Sequence, residues 1–311
     1  MYKVKSPILF LIFNRPLETF QVFNEIRKAK PSVLYIAADG PRKQNQNDLL
    51  NSESVKKIVK NIDWPCLVRT RFNNENLGCK MAVSSAISWF FENEEEGIIL
   101  EDDCLPHVDF FRFCDEMLNR YRNETRVAHI TGSNLQDGIK RGVSSYYFSN
   151  FTYVWGWASW RRVWKNYDVN LSFLEPANSF SILNNLTRKL KYKLYFKHIL
   201  KAVRNGQIDT WDYQYTFLNI FNRSLTIVPN LNLISNIGFN ANATHTTSET
   251  KDSKVPLDKI TFPLIHPENI SSIRAADEYT LMKITPNTFS VYKMALKQLI
   301  KDMLVQKKRF L

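Results

Sequence analysis

An α/β fold, with a mainly parallel central sheet and helices on both faces, is what this sequence predicts, and three observations predict it. Through the first 121 residues, short apolar runs alternate with segments whose apolar residues recur at helical spacing. Several of those runs stop at turn or charge signals: Asn14-Arg15-Pro16, Asp39-Gly40-Pro41 and Glu101-Asp102-Asp103. At 311 residues, with 44% hydrophobic and 13% aromatic residues, the chain is long and apolar enough to bury a large core.

Taken in order, residues 7–13 form an apolar strand. Pro16 then opens a helix with Leu17, Phe20, Phe23 and Ile26 expected on its buried side. Residues 33–38 read as the second strand, 48–62 as an amphipathic helix and 66–72 as the third strand. Leu77-Gly78 precedes a helix carrying Ala82, Val83, Ala86, Ile87 and Phe90 on one side. Residues 98–100 are the fourth strand, and 109–121 the helix after it.

The second half loses this rhythm. Residues 127–131 read as a strand, 146–164 as an aromatic-rich stretch and 188–204 as a basic helix. A helix is expected over 208–221, opened by Asp209 or Thr210, and a strand over 225–235. Residues 236–247, rich in Asn and Thr, read as loop, and 291–310 as a basic amphipathic helix. No repeat and no clear linker interrupts the chain. The expected organisation is a sheet domain over 1–250 and a helical extension over 251–311.

A net charge of +12 favours anionic partners: a nucleotide, a nucleic acid or an acidic membrane surface. Cys66, Cys79, Cys104 and Cys114 form no CxxC pair and no zinc spacing, as in a reduced, cytoplasmic protein. The apolar run at 8–13 is too short for a signal peptide, and no run is long enough to span a membrane. Only nine glycines occur, none before Gly40, so the first strand is followed by neither GxGxxG nor a P-loop. That argues against a dinucleotide oxidoreductase and a P-loop kinase.

The sharpest chemical signal is Glu101-Asp102-Asp103 at the exit of the fourth strand. Three consecutive carboxylates at a sheet edge are poorly tolerated without a cation, and hard oxygen ligands suit Mg²⁺ or Mn²⁺. Ligands bind outside the carboxyl ends of strands in open α/β sheets. The bland alternative is a solvated acidic turn closing the acidic stretch at 92–96.

Several patterns then occur in order: Phe13-Asn14-Arg15, Asp39-Gly40-Pro41, Asn76-Leu77-Gly78-Cys79-Lys80, Glu101-Asp102-Asp103 with Phe110-Phe111 after it, Trp155-Gly156-Trp157 and Trp211-Asp212. This succession resembles the GT-A glycosyltransferases, and most nearly the N-acetylglucosaminyltransferase I type, over residues 6–245. The resemblance implies a GT-A-like sheet and a metal-dependent, inverting transfer of a sugar, such as an N-acetylhexosamine, from a UDP-sugar donor. The acceptor would be a hydroxyl of a glycan, polysaccharide or lipid-linked glycan. By the same resemblance Asp103 would ligate Mn²⁺ or Mg²⁺, with Asp102 and Glu101 near metal-bound water, ribose or the sugar. Arg15 would hold the nucleotide, Asp39 the uracil edge, and Lys80 the diphosphate. Asp212 would take the acceptor's proton. Gly156 and Trp157 would wall the sugar pocket. His245 would reach the metal or pyrophosphate, although the N-acetylglucosaminyltransferase I type does not clearly use a histidine there.

Each residue has a plainer reading: a surface ion pair for Arg15, a turn-forming Asp39, a helix-surface Asp212, an aromatic core for the tryptophans, a loop histidine for His245. The basic segments at 188–204 and 293–309 are either solvated helix faces or a contact with anionic membrane, which would place the enzyme at the inner face of the cell membrane. Two rival functions stand beside the transferase. A sugar nucleotidylyltransferase on a related fold is disfavoured by the missing Gly-rich loop. A basic nucleic-acid-binding protein is disfavoured because no basic-aromatic motif stands out and the acidic triplet would repel a polyanion, so no nucleic acid is expected.

Overall fold

A computed structural model describes residues 2–175, 178–239 and 255–309 of the chain. The first half runs β1 (Ile8–Ile12), α1 (Pro16–Ala29), β2 (Val33–Ala38), α2 (Gln46–Ile58), β3 (Leu67–Phe72), α3 (Gly78–Asn93), β4 (Glu96–Glu101), β5 (Cys104–Pro106) and α4 (Val108–Tyr121). The second half follows with β6 (Val127–Thr131), β7 (Tyr146–Ser149), β8 (Trp157–Trp160), α5 (Arg161–Trp164), α6 (Leu190–Arg204), α7 (Asp212–Phe221), β9 (Leu225–Pro229), β10 (Ile234–Asn236), α8 (Arg274–Ile284) and α9 (Thr288–Arg309).

Eight strands make one sheet in the order β3-β2-β1-β4-β8-β6-β9-β7, and β5 pairs with β10 in a small second sheet. The pairings among β1 to β4 are parallel, as is β6 with β9; β8 runs antiparallel to both its neighbours and β7 antiparallel to β9. Fully buried central strands read as continuous apolar runs. Ile8 to Phe10 and Ile98 to Leu100 are wholly shielded from solvent, and each such side chain contributes about 1.5–3 kcal/mol of burial. Helices flank the sheet, α1 packing beside α2 and α4, and α3 beside α5.

The strand order places the site. From β1 the chain moves to β2 and β3 on one side, then returns across β1 to β4 on the other. The carboxyl ends of β1 and β4 therefore flank the point where the winding reverses, the place where open α/β sheets bind ligands. Because β8 is antiparallel to β4 with Trp157 opposite Ile99, its amino end, and Gly156 just before it, lies at the same edge.

Some expectations need correction. Leu17 and Phe20 are exposed, and α1 instead buries Thr19, Val22, Phe23, Ile26 and Ala29. A strict spacing of three falls short of a helical turn, so Leu17 and Ile26 end up on opposite faces. The strand expected over 225–235 is two strands, broken at 230–233, where the Asn230 and Asn232 side chains bond nearby backbone groups. Helix α8 gave no clear apolar period in the sequence.

Residues after 255 are stitched into the sheet domain. Asp277 of α8 accepts hydrogen bonds from Ser149 Oγ (2.6 Å) and Asn150 Nδ2 (2.9 Å), and Gln136 reaches Thr280 (2.9 Å). The outer edge of β7 is occupied too. Ser145 N–H donates to the Ile265 carbonyl, and Ile273 N–H donates to that of Phe148. Ser272 forms a parallel bridge with Phe148.

Behind the site lies an aromatic block. Trp157 stacks on Trp211 (5.7 Å, 22°) and on His129 (5.2 Å, 28°), and Trp164 on Tyr167 (4.3 Å, 7°). His129 is fully buried, and burial lowers its pKa to about 4 from the usual 6.5, against a hydrogen bond between Nε2 and the Tyr153 carbonyl. Below pH 6.5 the unfolded chain takes up a proton that the folded chain refuses until about pH 4. Acid therefore favours unfolding across that window, and the wild-type unfolding free energy should fall between pH 6.5 and 4 by about 3 kcal/mol more than that of a His129→Asn variant. Urea titrations at several pH values check this; parallel pH profiles for the two proteins would reject it.

Candidate functional site

A cavity of about 780 Å³ opens at the carboxyl edge of the parallel strands. Arg15, Asp39, Glu101, Asp102, Asp103 and Asp212, six of the residues singled out in the sequence, line it. They come from the ends of β1, β2 and β4 and from the first turn of α7. Trp155 and Phe239, packed edge to face (5.7 Å, 84°), form an aromatic part of the wall.

At its centre is an ion pair. Arg15 leaves β1 and its Nη1 bonds Asp103 Oδ2 and lies 3.5 Å from Asp102 Oδ1. Asp102 is buried and accepts a hydrogen bond from the Phe13 N–H (3.0 Å), so it ties the end of β1 to that of β4. The tie does not neutralise it. Burial, opposed by Arg15 and aided by the Asp103 charge, raises the Asp102 pKa to about 7. Burial and then the charges of Asp103, Asp102 and Asp212 push Glu101 well above the usual carboxylate range. Burial alone would loosen the Arg15 proton, but Asp102 and Asp103 outweigh it and hold the guanidinium charged.

Three acids against one arginine leave negative charge that a divalent cation would relieve, and an all-oxygen donor set suits Mg²⁺ or Mn²⁺. Among the described residues, no three His, Cys, Asp or Glu side chains converge in a metal-holding cluster. Such an ion would sit on one or two carboxylates and complete its shell from phosphate and water, the usual habit of Mg²⁺. Gly238 matters here. The chain at 236–239 passes so close to Asp103 and Arg15 that a Cβ at Gly238 would collide with both.

Asp212 faces this cluster from α7. The sequence reading opened this helix at Asp209 or Thr210, but it begins at Asp212 with Trp211 at the cap position, and the Thr210 hydroxyl bonds the Asp212 carboxylate instead. Asp209 therefore lies before the helix, exposed at the cavity mouth. Trp211, 2% exposed in the aromatic block, fixes where the helix starts and so where Asp212 points. An acid in the first turn also suits the helix dipole.

Asp39 is engaged with the protein. Its carboxylate accepts from the N–H groups of Gly40 (2.9 Å), Leu77 (3.0 Å) and Gly78 (3.1 Å) and from the amides of Asn73 (3.2 Å) and Asn76 (2.9 Å). It staples the end of β2 to the loop before α3 and occupies the N–H groups at the start of that helix.

Three singled-out residues do not line the cavity. Lys80 is half-buried in the first turn of α3, away from the lining. Trp157 is wholly buried beneath the wall, held by its stacks on Trp211 and His129. Gly156 has φ +58°, and a Cβ there would run into Ile234, so it serves close packing of β8 against β10. His245 lies outside the described residues.

The sequence reading missed Arg42 and Arg71, which also line the cavity. Arg42 is paired with Asp48 (Nη2 to Oδ1, 2.9 Å) and lies over the Phe13 ring, and Arg71 Nη1 bonds the Ser85 carbonyl (2.8 Å). The signal for Arg71 was a cation next to the last residue of an edge strand; Arg42 follows the Gly40-Pro41 turn with nothing to mark it. Cys79 lines the cavity as well, but burial and the charges of Glu101, Asp212, Asp209 and Asp39 keep its thiol protonated.

No family model matches the chain, and no curated protein matches it in sequence. Solved structures similar to it include UDP-glucose pyrophosphorylase complexed with UDP-glucose, at 11% identity and TM-score 0.36, over 74% of this chain and 90% of that one. Mouse xyloside xylosyltransferase 1 is similar at 10% identity and TM-score 0.37, over 70% and 81%. HddC from Yersinia pseudotuberculosis is similar at 10% identity and TM-score 0.32, over 52% and 80%. Similarities this distant leave the function to be read from the site's own residues.

The packing of Gly156 generates a test. Gly156→Ala should destabilise the fold by about 2–4 kcal/mol, through left-handed strain and overpacking against Ile234, with part recovered by Ile234→Val. Unchanged stability in chemical unfolding would return Gly156 to the cavity wall.

Proposed function

We propose that this chain is a metal-assisted, GT-A-like glycosyltransferase that moves a sugar from a UDP-sugar to an acceptor hydroxyl with inversion. The observation that carries the reading is the placement of Asp212 across one cavity from Arg15, Asp102 and Asp103 at the switch point of the sheet.

Asp103, supported by Asp102, would hold Mn²⁺ or Mg²⁺. When bound, such an ion supplies Lewis-acid stabilisation of the departing diphosphate. Arg15 adds a fixed positive charge at the same place, and its planar fork suits phosphate oxygens. Asp212 takes the proton of the incoming hydroxyl, which inversion requires on the face opposite the leaving group. Asp39 organises the loop at 73–78 that borders the nucleotide, while Trp155 and Phe239 offer apolar faces to the sugar. Burial and the neighbouring acids favour the neutral form of Glu101 relative to a free carboxylate. An N-acetylhexosamine donor and a glycan, polysaccharide or lipid-linked acceptor belong to this reading.

Titration calorimetry with UDP and a set of UDP-sugars, in Mn²⁺ and in EDTA, tests it. Tight binding of one UDP-sugar is expected in Mn²⁺ only. Asp103→Ala should abolish that binding, and Asp212→Asn should retain it while transfer falls by about 10²–10⁴-fold, the worth of a general base. Full transfer activity of Asp103→Ala in chelator, or normal turnover by Asp212→Asn, would sink the assignment.

A further inference from the structure

Helix α9 leaves an apolar stripe uncovered among the described residues. Phe289, Tyr292, Leu296, Leu299, Ile300 and Met303 are all exposed, Phe289 at 77% and Leu296 at 58%. At one residue per 100° of turn these six fall within an arc of about 100°. The opposite side holds the buried Val291 and the half-buried Met294, Ala295 and Gln298, and α9 packs on α6. Apolar residues scattered singly over a surface need no partner, but a continuous stripe along a helix does.

Charge selects the partner. Lys293 and Lys297 are exposed and sit immediately beside the stripe on the helix wheel. Across the whole helix the sequence has six basic residues and a single acid. Pairing with a second copy through this stripe would bring lysine rows together and would be opposed by their repulsion. An apolar stripe with Phe, Tyr and Leu, bordered by lysine, is the pattern of a helix lying in the interface of an anionic bilayer. No described helix is long and apolar enough to cross a membrane.

We propose that α9 docks the protein on the surface of an anionic lipid bilayer, its apolar stripe entering the acyl boundary and Lys293 and Lys297 meeting the headgroups. The docking stands on the stripe and its lysines and not on the sugar-transfer reading. Joined to that reading, it has a consequence. Helix α6 packs α9 on one side and α7 on another, Phe196 lying in the same apolar cluster as Phe217 and Ile220. Docking would thus orient the helical side of the molecule, from which Asp212 projects, toward acceptors carried by lipid.

The test is co-sedimentation of the full chain with phosphatidylglycerol vesicles and with phosphatidylcholine vesicles. The protein should pellet with the first, release at high ionic strength and ignore the second. Lys293→Glu with Lys297→Glu should weaken binding by at least about 25-fold, from the worth of two headgroup charges. Leu296→Ser with Leu299→Ser should weaken it by more than about tenfold. Circular dichroism and Mn²⁺-dependent UDP binding, measured on the same variants, separate docking from folding and from the active site. Equal pelleting with phosphatidylcholine, pelleting with neither lipid, or undiminished binding by folded variants would overturn the proposal. So would a wild-type dimer, seen by sedimentation velocity, that Leu296→Ser with Leu299→Ser dissolves, since a second copy would then cover the stripe.

Discussion

The contact of Arg15 with Asp102 and Asp103 is the interaction on which the rest of this site depends. It joins the ends of two parallel strands at the point where the sheet's winding reverses. The backbone shares in it, since Asp102 accepts the Phe13 N–H, so the two strand ends cannot separate without exposing a buried carboxylate. One guanidinium cannot satisfy three acids, and Glu101 and Asp102 hold their protons more tightly than free carboxylates do. A centre that is structurally tied yet electrostatically unfinished is suited to admit a further cation.

Around that centre the walls are set by groups whose own bonds and stacks are made within the protein. Trp211 is buried in a stack with Trp157, and the helix that begins next to it can only present its first residue, Asp212, toward the acids. Asp39 works in a comparable way on the opposite side, gathering four donors from the loop at 73–78 so that the loop borders the opening. The polar groups that shape this cavity are thus largely spent on the protein itself: Asp39 on the loop, Arg15 and Asp103 on each other, and Asp212 on Thr210.

The first half of the fold was legible in the sequence because each buried strand is a continuous apolar run bounded by turn chemistry. The acids of β4 and Arg15 after β1 were legible as strand-end positions, whereas Asp212 stood out only through the Trp211-Asp212 resemblance. Legibility failed where tertiary packing overrides local pattern. Gly156 and Trp157 read as a wall of the sugar pocket; yet the left-handed turn at Gly156, packed against Ile234, leaves Trp155 at the cavity and Trp157 buried beneath it. Asp209 looks like a helix cap, but the buried Trp211 delays the helix. Arg42 became visible only when the turn at Gly40-Pro41 was folded. Helix α8 was missed because it buries only Ala276 and Leu281 among its apolar residues, too few for a period, and is otherwise held by the polar bonds of Asp277 and Thr280.

The segment that runs along β7 has a bearing on how this chain survives its own synthesis. β7 closes one side of the large sheet, and an uncovered outermost strand offers a row of unpaired donors and acceptors to any neighbouring chain. Ile265, Ser272 and Ile273 occupy that row and come from a part of the sequence translated well after β7. Until they emerge from the ribosome, β7 is a template for intermolecular pairing, so the interval before residue 273 is made is when self-association is the greatest hazard. A protein shortened to end before residue 265 would stay in that vulnerable state for its whole lifetime.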